Sequence, residues 1–165
     1  MRRFAVVCVA VSAAFLALAP GGLAASARVA ALQIAVRAHG LDPGPIDGVA
    51  GPRTRGALVS FQRRRRLVPD GKLGPATRRA LGTRGRPLLG QRELAPGAIG
   101  WDVAVLEFRL RRYGLPARAI DGRFTGATSA ALRRYQRRYG LVPDGIAGPH
   151  TYRVLAIRGP EFSRA

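Results

Sequence analysis

Residues 67–77 read Leu-Val-Pro-Asp-Gly-Lys-Leu-Gly-Pro-Ala-Thr, and residues 141–151 read Leu-Val-Pro-Asp-Gly-Ile-Ala-Gly-Pro-His-Thr. The two stretches lie 74 positions apart, and the same offset aligns residues 29–81 with residues 103–155 without a gap. Roughly half of the aligned positions are identical. A repeat of this quality determines the architecture before any single residue is interpreted. The chain therefore consists of two copies of one module.

The apolar spacing within each copy predicts short helices. Val29, Leu32 and Val36 follow one another at intervals of three and four, which places them on one helix face. Gly40 then follows as a residue that tolerates the left-handed conformation at a helix end. Proline in Gly-Pro-x-Thr suits the first turn of the next helix. Because no stretch alternates like a strand, we predict an all-α protein, with two tandem compact three-helix modules after an N-terminal signal peptide.

The N-terminal segment is typical of a secretory signal peptide. Arg2 and Arg3 precede an apolar run at residues 4–19, and small residues follow, with cleavage expected after Ala24 or after the Ala25-Ser26-Ala27 triplet. An uncleaved anchoring helix is the alternative, but the run is short for a membrane span and Pro-Gly-Gly interrupts it. We expect a secreted protein, extracellular or wall-associated, with no membrane span after cleavage. The predicted boundaries are signal peptide 1–27, first module 28–82, linker 83–100, second module 101–157 and C-terminal tail 158–165.

Four Asp-Gly pairs mark the turns inside the modules. Aspartate can bond its own downstream backbone, and glycine accepts a positive φ without a Cβ clash. We interpret these pairs as structural, with ligand contact as the alternative. A calcium site is not expected, because each turn offers one carboxylate and calcium prefers six or more oxygens. The pairs are Asp47-Gly48, Asp70-Gly71, Asp121-Gly122 and Asp144-Gly145.

The order of these motifs resembles that of peptidoglycan-binding domain family 1, which comprises small three-helix modules found in many bacterial cell-wall hydrolases. The first copy carries the pattern in Leu32-Gln33, Asp47-Gly48, Thr54, Phe61-Gln62, Asp70-Gly71 and Gly74-Pro75. The second copy carries it in Leu106-Glu107, Asp121-Gly122, Thr128, Tyr135-Gln136, Asp144-Gly145 and Gly148-Pro149. The resemblance implies noncovalent attachment to peptidoglycan, in a module that usually accompanies a peptidase or amidase domain. The second copy departs from the family at Glu107 and at Thr125-Gly126, so the two copies are not expected to be equivalent.

Catalytic chemistry is not expected from these residues. The two histidines, His39 and His150, form no metal or base-nucleophile motif, and Cys8 is the one cysteine and lies in the predicted signal peptide. The acidic residues outside the turns are scattered and suggest no carboxylate pair for glycoside hydrolysis. We therefore predict that the protein is not an enzyme and holds neither a metal nor a cofactor.

Positive charge is the second feature that bears on partners. The 28 Lys and Arg against 9 Asp and Glu give a formal net charge of +19, with arginine clusters on predicted helices. Such a charge attracts polyanions over long range and is screened by salt. For an exported protein these would be anionic wall polymers; nucleic acid is not expected as a physiological partner. A merely solvated arginine-rich surface remains the alternative.

The residues predicted to contact ligand are Gln62, Arg66, Gln136 and Tyr139, since aromatic faces and planar polar groups commonly recognise sugars. Each glutamine follows a buried aromatic residue and could face a groove or bond a loop. The leading hypothesis is a secreted, noncatalytic peptidoglycan-binding protein. The alternative is an interaction or regulatory subunit that docks onto a separate cell-wall hydrolase. Functional differences are expected where the copies disagree: Gln33 against Glu107, Arg65-Arg66 against Tyr139-Gly140, and Gly51-Pro52 against Thr125-Gly126.

Overall fold

The computed structural model describes residues 25–157, and their secondary structure is helical. The predicted all-α class is confirmed: within that range the backbone pairs as strands only at two isolated bridges, Leu94 with Ala147 and Ile99 with Arg123. No helix in the range is both long and apolar enough to span a bilayer. The helices are α1 (Ala27–Ala38), α2 (Pro52–Arg64), α3 (Pro75–Ala80), a 3-10 turn (Gly82–Arg84), α4 (Trp101–Arg112), α5 (Gly126–Arg138) and α6 (Pro149–Ile157).

The starts of the helices follow local chemistry. Helices α2 and α3 begin with proline after an extended glycine, where the missing N–H costs nothing. Helix α5 begins differently at the equivalent place, with a capping box. The Thr125 hydroxyl oxygen accepts from Thr128 N, and the Thr128 hydroxyl oxygen accepts from Thr125 N. The mismatch between Gly51-Pro52 and Thr125-Gly126 is therefore two ways of starting the same helix.

The longer helices end in one repeated cap. A left-handed residue follows the helix, and the next residue, a leucine, donates its N–H to a carbonyl five positions back. The left-handed residues are Gly40, Arg66, Gly114 and Gly140. Three of the four positions hold glycine, as expected from its freedom at positive φ. Arg66, with φ of 55°, is the exception.

Helix α4 belongs to two hydrophobic cores at once. Trp101, Val105 and Phe108 pack into the core formed by α1 and α2 of the first module. Leu106 and Leu110, on the opposite face of α4, pack with α5 and α6 of the second module. Small modules bury too little surface to be stable alone, so sharing a helix increases the burial of each. The two modules thus pack against each other through α1 and α4.

Three arginines strengthen the junction between the modules by donating to carbonyls across it. Arg111 bonds Ile46 O (2.8 Å), Arg112 bonds Ala25 O (2.6 Å), and Arg84 bonds Asp121 O. Part of the arginine cluster on α4 therefore bonds across the junction, while Arg111 and Arg112 remain exposed.

The segment between the modules packs against the second module. Leu94 is buried, and it exchanges two backbone hydrogen bonds with Ala147 of 3.1 and 2.9 Å. Gly100 N donates to Gly122 O (3.0 Å), and the equivalent bond in the first module joins Ser26 N to Gly48 O (2.8 Å). The residues preceding each first helix therefore belong to the module that follows them.

The predicted boundary between residues 27 and 28 cuts this arrangement. Ser26 caps α1, its side chain accepting from Arg28 N (3.2 Å), and Ala27 is buried in the core. Cleavage after Ala27 would remove the cap, whereas cleavage after Ala24 would preserve it. The rest of the predicted signal peptide, residues 1–24, and the tail at 158–165 lie outside the described residues.

Candidate functional site

Each of the four Asp-Gly turns is held by a buried side chain from the preceding helix. In the first turn the amide of Gln33 donates to Asp47 Oδ1 (2.8 Å), and its Oε1 accepts from Gly48 N (3.0 Å). The same amide reaches Val49 O and the hydroxyl of Thr54 at 3.1 Å each. We call this arrangement the amide clamp. It joins a helix, a turn and the start of the next helix through one side chain.

The clamp recurs with the two glutamines predicted as ligand contacts. Gln62 donates to Asp70 Oδ1 (2.8 Å) and accepts from Gly71 N (2.9 Å). Gln136 donates to Asp144 Oδ1 (2.7 Å) and accepts from Gly145 N (2.9 Å). The glycine N–H can only donate, so it identifies the amide oxygen in each case.

The two glutamines predicted as ligand contacts are buried and bonded to the turns. Gln62 and Gln136 are each 1% exposed, and both ends of each amide are engaged by the turn. The loop-bonding role, left open by the sequence, is the one that this geometry fits. A buried amide with such partners stabilises the fold, because releasing it would leave several polar groups unpaired.

Local hydrogen bonds lower the pKa of three turn aspartates, Asp47, Asp70 and Asp144. Oδ1 of Asp144 accepts from Ile146 N (2.8 Å), and that bond together with Gln136 holds the pKa of Asp144 below its usual value. The pKa of Asp70 is lowered by Lys72 N and Gln62, and that of Asp47 chiefly by Gln33. The structure thus places the Asp-Gly pairs in hydrogen-bonded turns, where the carboxylates serve the backbone.

Glu107 occupies the clamp position of the third turn and changes its chemistry. Its carboxylate accepts from Asp121 N (3.1 Å), Gly122 N (2.9 Å) and the Thr128 hydroxyl (3.2 Å). Burial raises the pKa of Glu107 to about 7, and these donors only partly offset that. Unlike glutamine, an ionised carboxylate has no hydrogen to offer Asp121. The clamp is therefore incomplete in one of its four copies.

Tyr139 and Arg66, the other predicted contacts, lie at surface edges of different modules. Tyr139 is partly buried in an aromatic cluster, 4.5 Å from the ring of Tyr135 and 5.8 Å from that of Tyr113. Arg66 is exposed, at the position that Gly140 takes in the second module. The structure does not bring the two side chains together. Only Gly140, next to Tyr139, borders the groove described below.

A groove of about 480 Å³ lies in the second module, above the fourth clamp. Apolar side chains form much of its wall, and Gln136 lies beneath it. Val142, at the edge of the groove, is 77% exposed. The groove is lined by Glu93, Gly140, Leu141, Val142, Asp144, Ile146, Gly148, Pro149, His150 and Thr151, with Gln136.

Sequence reasoning missed most of this lining. In the sequence, His150 forms no recognisable motif, and Glu93 is one of the scattered acidic residues outside the turns. Glu93 reaches the groove because the linker pairs with Ala147, a contact between residues far apart in the chain. One signal was available: Lys72 and Ala76 of the first module stand opposite Ile146 and His150 in the repeat.

Comparison with known proteins places the repeats in one family. A family model described as "Putative peptidoglycan binding domain" matches residues 25–81 and again residues 100–155. The chain belongs to this family. The resemblance drawn from the motifs is thereby confirmed, and both modules carry the peptidoglycan-binding fold. No solved protein structure matches the chain significantly.

The curated relatives are larger cell-wall enzymes. N-acetylmuramoyl-L-alanine amidase CwlM of Mycobacterium tuberculosis is 45% identical over 104 residues, which cover 60% of this chain and 25% of that protein. The zinc D-Ala-D-Ala carboxypeptidase of Streptomyces albus G is 49% identical over 64 residues, covering 38% and 25%. The spore cortex-lytic enzyme of Bacillus cereus is 42% identical over 69 residues, covering 42% and 26%. The chain thus spans about a quarter of the length of these relatives.

These relatives correct the prediction that the protein is not an enzyme. Proteins that share the module are named amidases and a cortex-lytic enzyme, and that prediction is overturned by them. The prediction rested on finding no catalytic residue pattern. The repeated polar residues of these modules serve turns and helix starts, so they do not indicate the activity of the proteins that contain such modules.

Proposed function

We propose that this chain binds peptidoglycan through the groove of the second module. By binding there, it keeps a wall-hydrolysing activity, of the kind named for its relatives, close to the polymer. The observation that carries the proposal is the groove itself, set on a peptidoglycan-binding fold. Export to the cell wall, supported by the predicted signal peptide, belongs to the same proposal.

The lining of the groove suits a wall polymer. Leu141, Val142 and Pro149 offer apolar surface for sugar faces or alkyl groups of a peptide. Glu93 and His150 add polar groups that can bond hydroxyls and amides. Because the buried clamp of Gln136 fixes the floor, the groove is preformed, and binding costs little reordering.

The arginine-rich surface adds attraction to anionic wall polymers in this proposal. Arg63 to Arg66 at the end of α2, and Arg137 and Arg138 at the end of α5, are exposed. Exposed charges of this kind increase association rates, and their attraction to polyanions is screened by salt. Contacts in the groove depend on shape instead. Salt dependence therefore separates the two contributions.

Purified sacculi stripped of anionic polymers test the proposal directly. We expect the protein to sediment with stripped sacculi at both low and moderate salt, because the groove contacts do not need the polymer charge. Unstripped walls should retain more protein at low salt only. Protein that stays in the supernatant with stripped sacculi at moderate salt would show that the modules do not bind peptidoglycan.

Substitution of the exposed groove valine gives a matched pair. Val142→Asp should weaken sacculus binding about tenfold, by placing a charge against apolar ligand surface. Val68→Asp makes the same change at the equivalent position of the first module, which is 76% exposed. It should reduce binding about twofold at most, as measured by sedimentation isotherms. Equal losses in both variants would indicate charge attraction rather than groove binding.

Replacing Arg66 by glycine is expected to raise stability and to weaken wall binding. Its left-handed conformation is easier for glycine, so Arg66→Gly should raise the free energy of unfolding by about 1 kcal/mol. The same variant should bind unstripped walls less at low salt, since it removes an exposed charge. Arg65→Gly is the matched control: Arg65 has φ of −94°, so it should lose the same charge without gaining stability. Thermal melts and sedimentation measure both effects, and a destabilised Arg66→Gly variant would contradict the expectation.

A further inference from the structure

The groove of the second module carries negative charge, in a chain whose formal net charge is +19. Its carboxylates are Glu93 and Asp144, and no lysine or arginine is among its lining residues. Neither carboxylate is in an ion pair within residues 25–157. Arg133 bonds the backbone carbonyl of Asp144 (3.4 Å), but it does not line the groove. The groove is therefore an acidic site on a basic protein.

Glu93 is held against the groove by the bonds of its two neighbours in the chain. On one side, Leu94 exchanges two backbone hydrogen bonds with Ala147, of 3.1 and 2.9 Å. On the other side, the Tyr152 hydroxyl donates to the carbonyl of the preceding residue (2.6 Å). A Cβ at Gly148 would lie 3.1 Å from Glu93 Oε1, so the carboxylate lies directly against the groove wall. The fold therefore sets the position of Glu93, although its side chain is exposed.

Asp144 contributes a carboxylate with one oxygen engaged by the fold. Its Oδ1 accepts from Ile146 N (2.8 Å) and from Gln136 Nε2 (2.7 Å). Its Oδ2 accepts no hydrogen bond from the described residues. Because each oxygen of an ionised carboxylate has lone pairs for hydrogen bonds, Oδ2 is left to accept from a ligand.

The equivalent face of the first module carries cations instead. The offset of 74 residues puts Arg66 at the position of Gly140, and Lys72 at the position of Ile146. Both cations are exposed, whereas Gly140 and Ile146 line the groove. The clamp and the Asp-Gly turn are common to both faces, so the fold does not require this difference. Equivalent surfaces with different charge favour different groups of a ligand.

We propose that the groove of the second module binds a peptide segment with a free alkylammonium group, in preference to a neutral sugar. An ammonium group donates up to three hydrogen bonds, and its bonds to carboxylates are stronger than neutral ones. The apolar wall of Leu141, Val142 and Pro149 contacts the alkyl chain that carries the ammonium group. This inference rests on the proposed binding of peptidoglycan in this groove, and it names the part of the polymer that enters: the peptide rather than the glycan.

Acetylation of the free amino groups of sacculi tests this inference. Sacculi that are stripped of anionic polymers and rich in peptides with free amino groups are divided, and one half is treated with acetic anhydride. Acetylation removes positive charge from the sacculi, so general charge attraction predicts tighter binding of this basic protein. We expect about fivefold weaker binding instead, in sedimentation isotherms at moderate salt, because the ammonium donor is lost.

The outcomes separate this inference from the proposed function. Equal or tighter binding to acetylated sacculi would overturn the ammonium preference and leave peptidoglycan binding established. Protein that binds neither preparation would overturn the proposed function, and the preference with it.

Two variants in the groove and one outside it locate the effect. Glu93→Gln should bind untreated sacculi about fivefold more weakly and lose most of its sensitivity to acetylation. Ile146→Lys copies Lys72 of the first module and should also bind more weakly, although it adds positive charge to the protein. Asp42→Asn removes an exposed carboxylate of the first module and should keep the native sensitivity. Equal sensitivity to acetylation in Glu93→Gln and Asp42→Asn would refute the inference.

Discussion

Replacement of Gln136 by alanine should lower the free energy of unfolding by about 3–5 kcal/mol, the largest change expected for a single substitution in this chain. The amide joins α5 to the fourth turn through bonds to Asp144 and Gly145. Truncation leaves a cavity and strands polar groups that lie out of water. At about 3 °C per kcal/mol, the melting temperature should fall by about 9–15 °C.

The control for this experiment is the neighbouring exposed residue. Arg137→Ala, one position along α5, should change the melting temperature by no more than a degree or two, since exposed sites away from special features are nearly neutral. Gln62→Ala should reproduce the large loss in the first module, because its clamp has the same bonds. A loss below about 1 kcal/mol in both glutamine variants would show that the clamps do not hold the turns.

The same substitution tests whether the modules unfold together. Because α4 contributes to both cores, damage in the second module should also destabilise the first. We expect a single cooperative transition in circular dichroism and in Trp101 fluorescence, although Trp101 packs in the first core. Two separated transitions would contradict this coupling.

Glu107→Gln should stabilise the protein by about 3 kcal/mol above pH 7 and have little effect near pH 4.5. The pKa of Glu107 is raised from 4.5 to about 7 by burial. Below pH 4.5 the carboxyl is protonated in both states. As pH rises from 4.5 to 7 the unfolded chain releases the proton first, so stability falls, and above pH 7 the loss is complete. Glutamine removes this loss and supplies the missing donor for Asp121.

Thermal denaturation of both proteins between pH 4 and pH 8 measures the effect as a difference that widens with pH. The mirror variant is Gln33→Glu, which installs the carboxylate in the first clamp, where the amide bonds Asp47 and Val49. It should lose stability with rising pH, as the native protein does through Glu107. A difference between Glu107→Gln and the native protein that does not change with pH would show that Glu107 does not titrate in this range.

Much of the fold could be predicted because its signals are local. The turns at Asp70-Gly71 and Asp144-Gly145, and the proline starts of α2 and α3, depend on residues within a few positions of one another. Turns and helix starts of that kind can be predicted from a few neighbouring residues. Because the chain repeats, each element predicted in the first copy could be compared with the equivalent residues of the second copy. The mismatch of Gln33 against Glu107, noted from the sequence, proved to mark a buried clamp with altered chemistry.

The candidate sites were much less predictable. The sequence leaves open whether Gln136 faces a groove or bonds a loop, and Glu93 has no apparent relation to His150 in the chain. No periodicity links such residues.

The sequence by itself therefore determined the two modules, their helices, their turns and their family, since each follows from neighbouring residues and from the repeat. Only the tertiary structure decided which polar side chains are buried and where the groove lies. The physical reason is the packing of α1 against α4 and of the linker against the second module. Those contacts join distant parts of the chain, and the free energy that selects them comes from burial summed over whole surfaces.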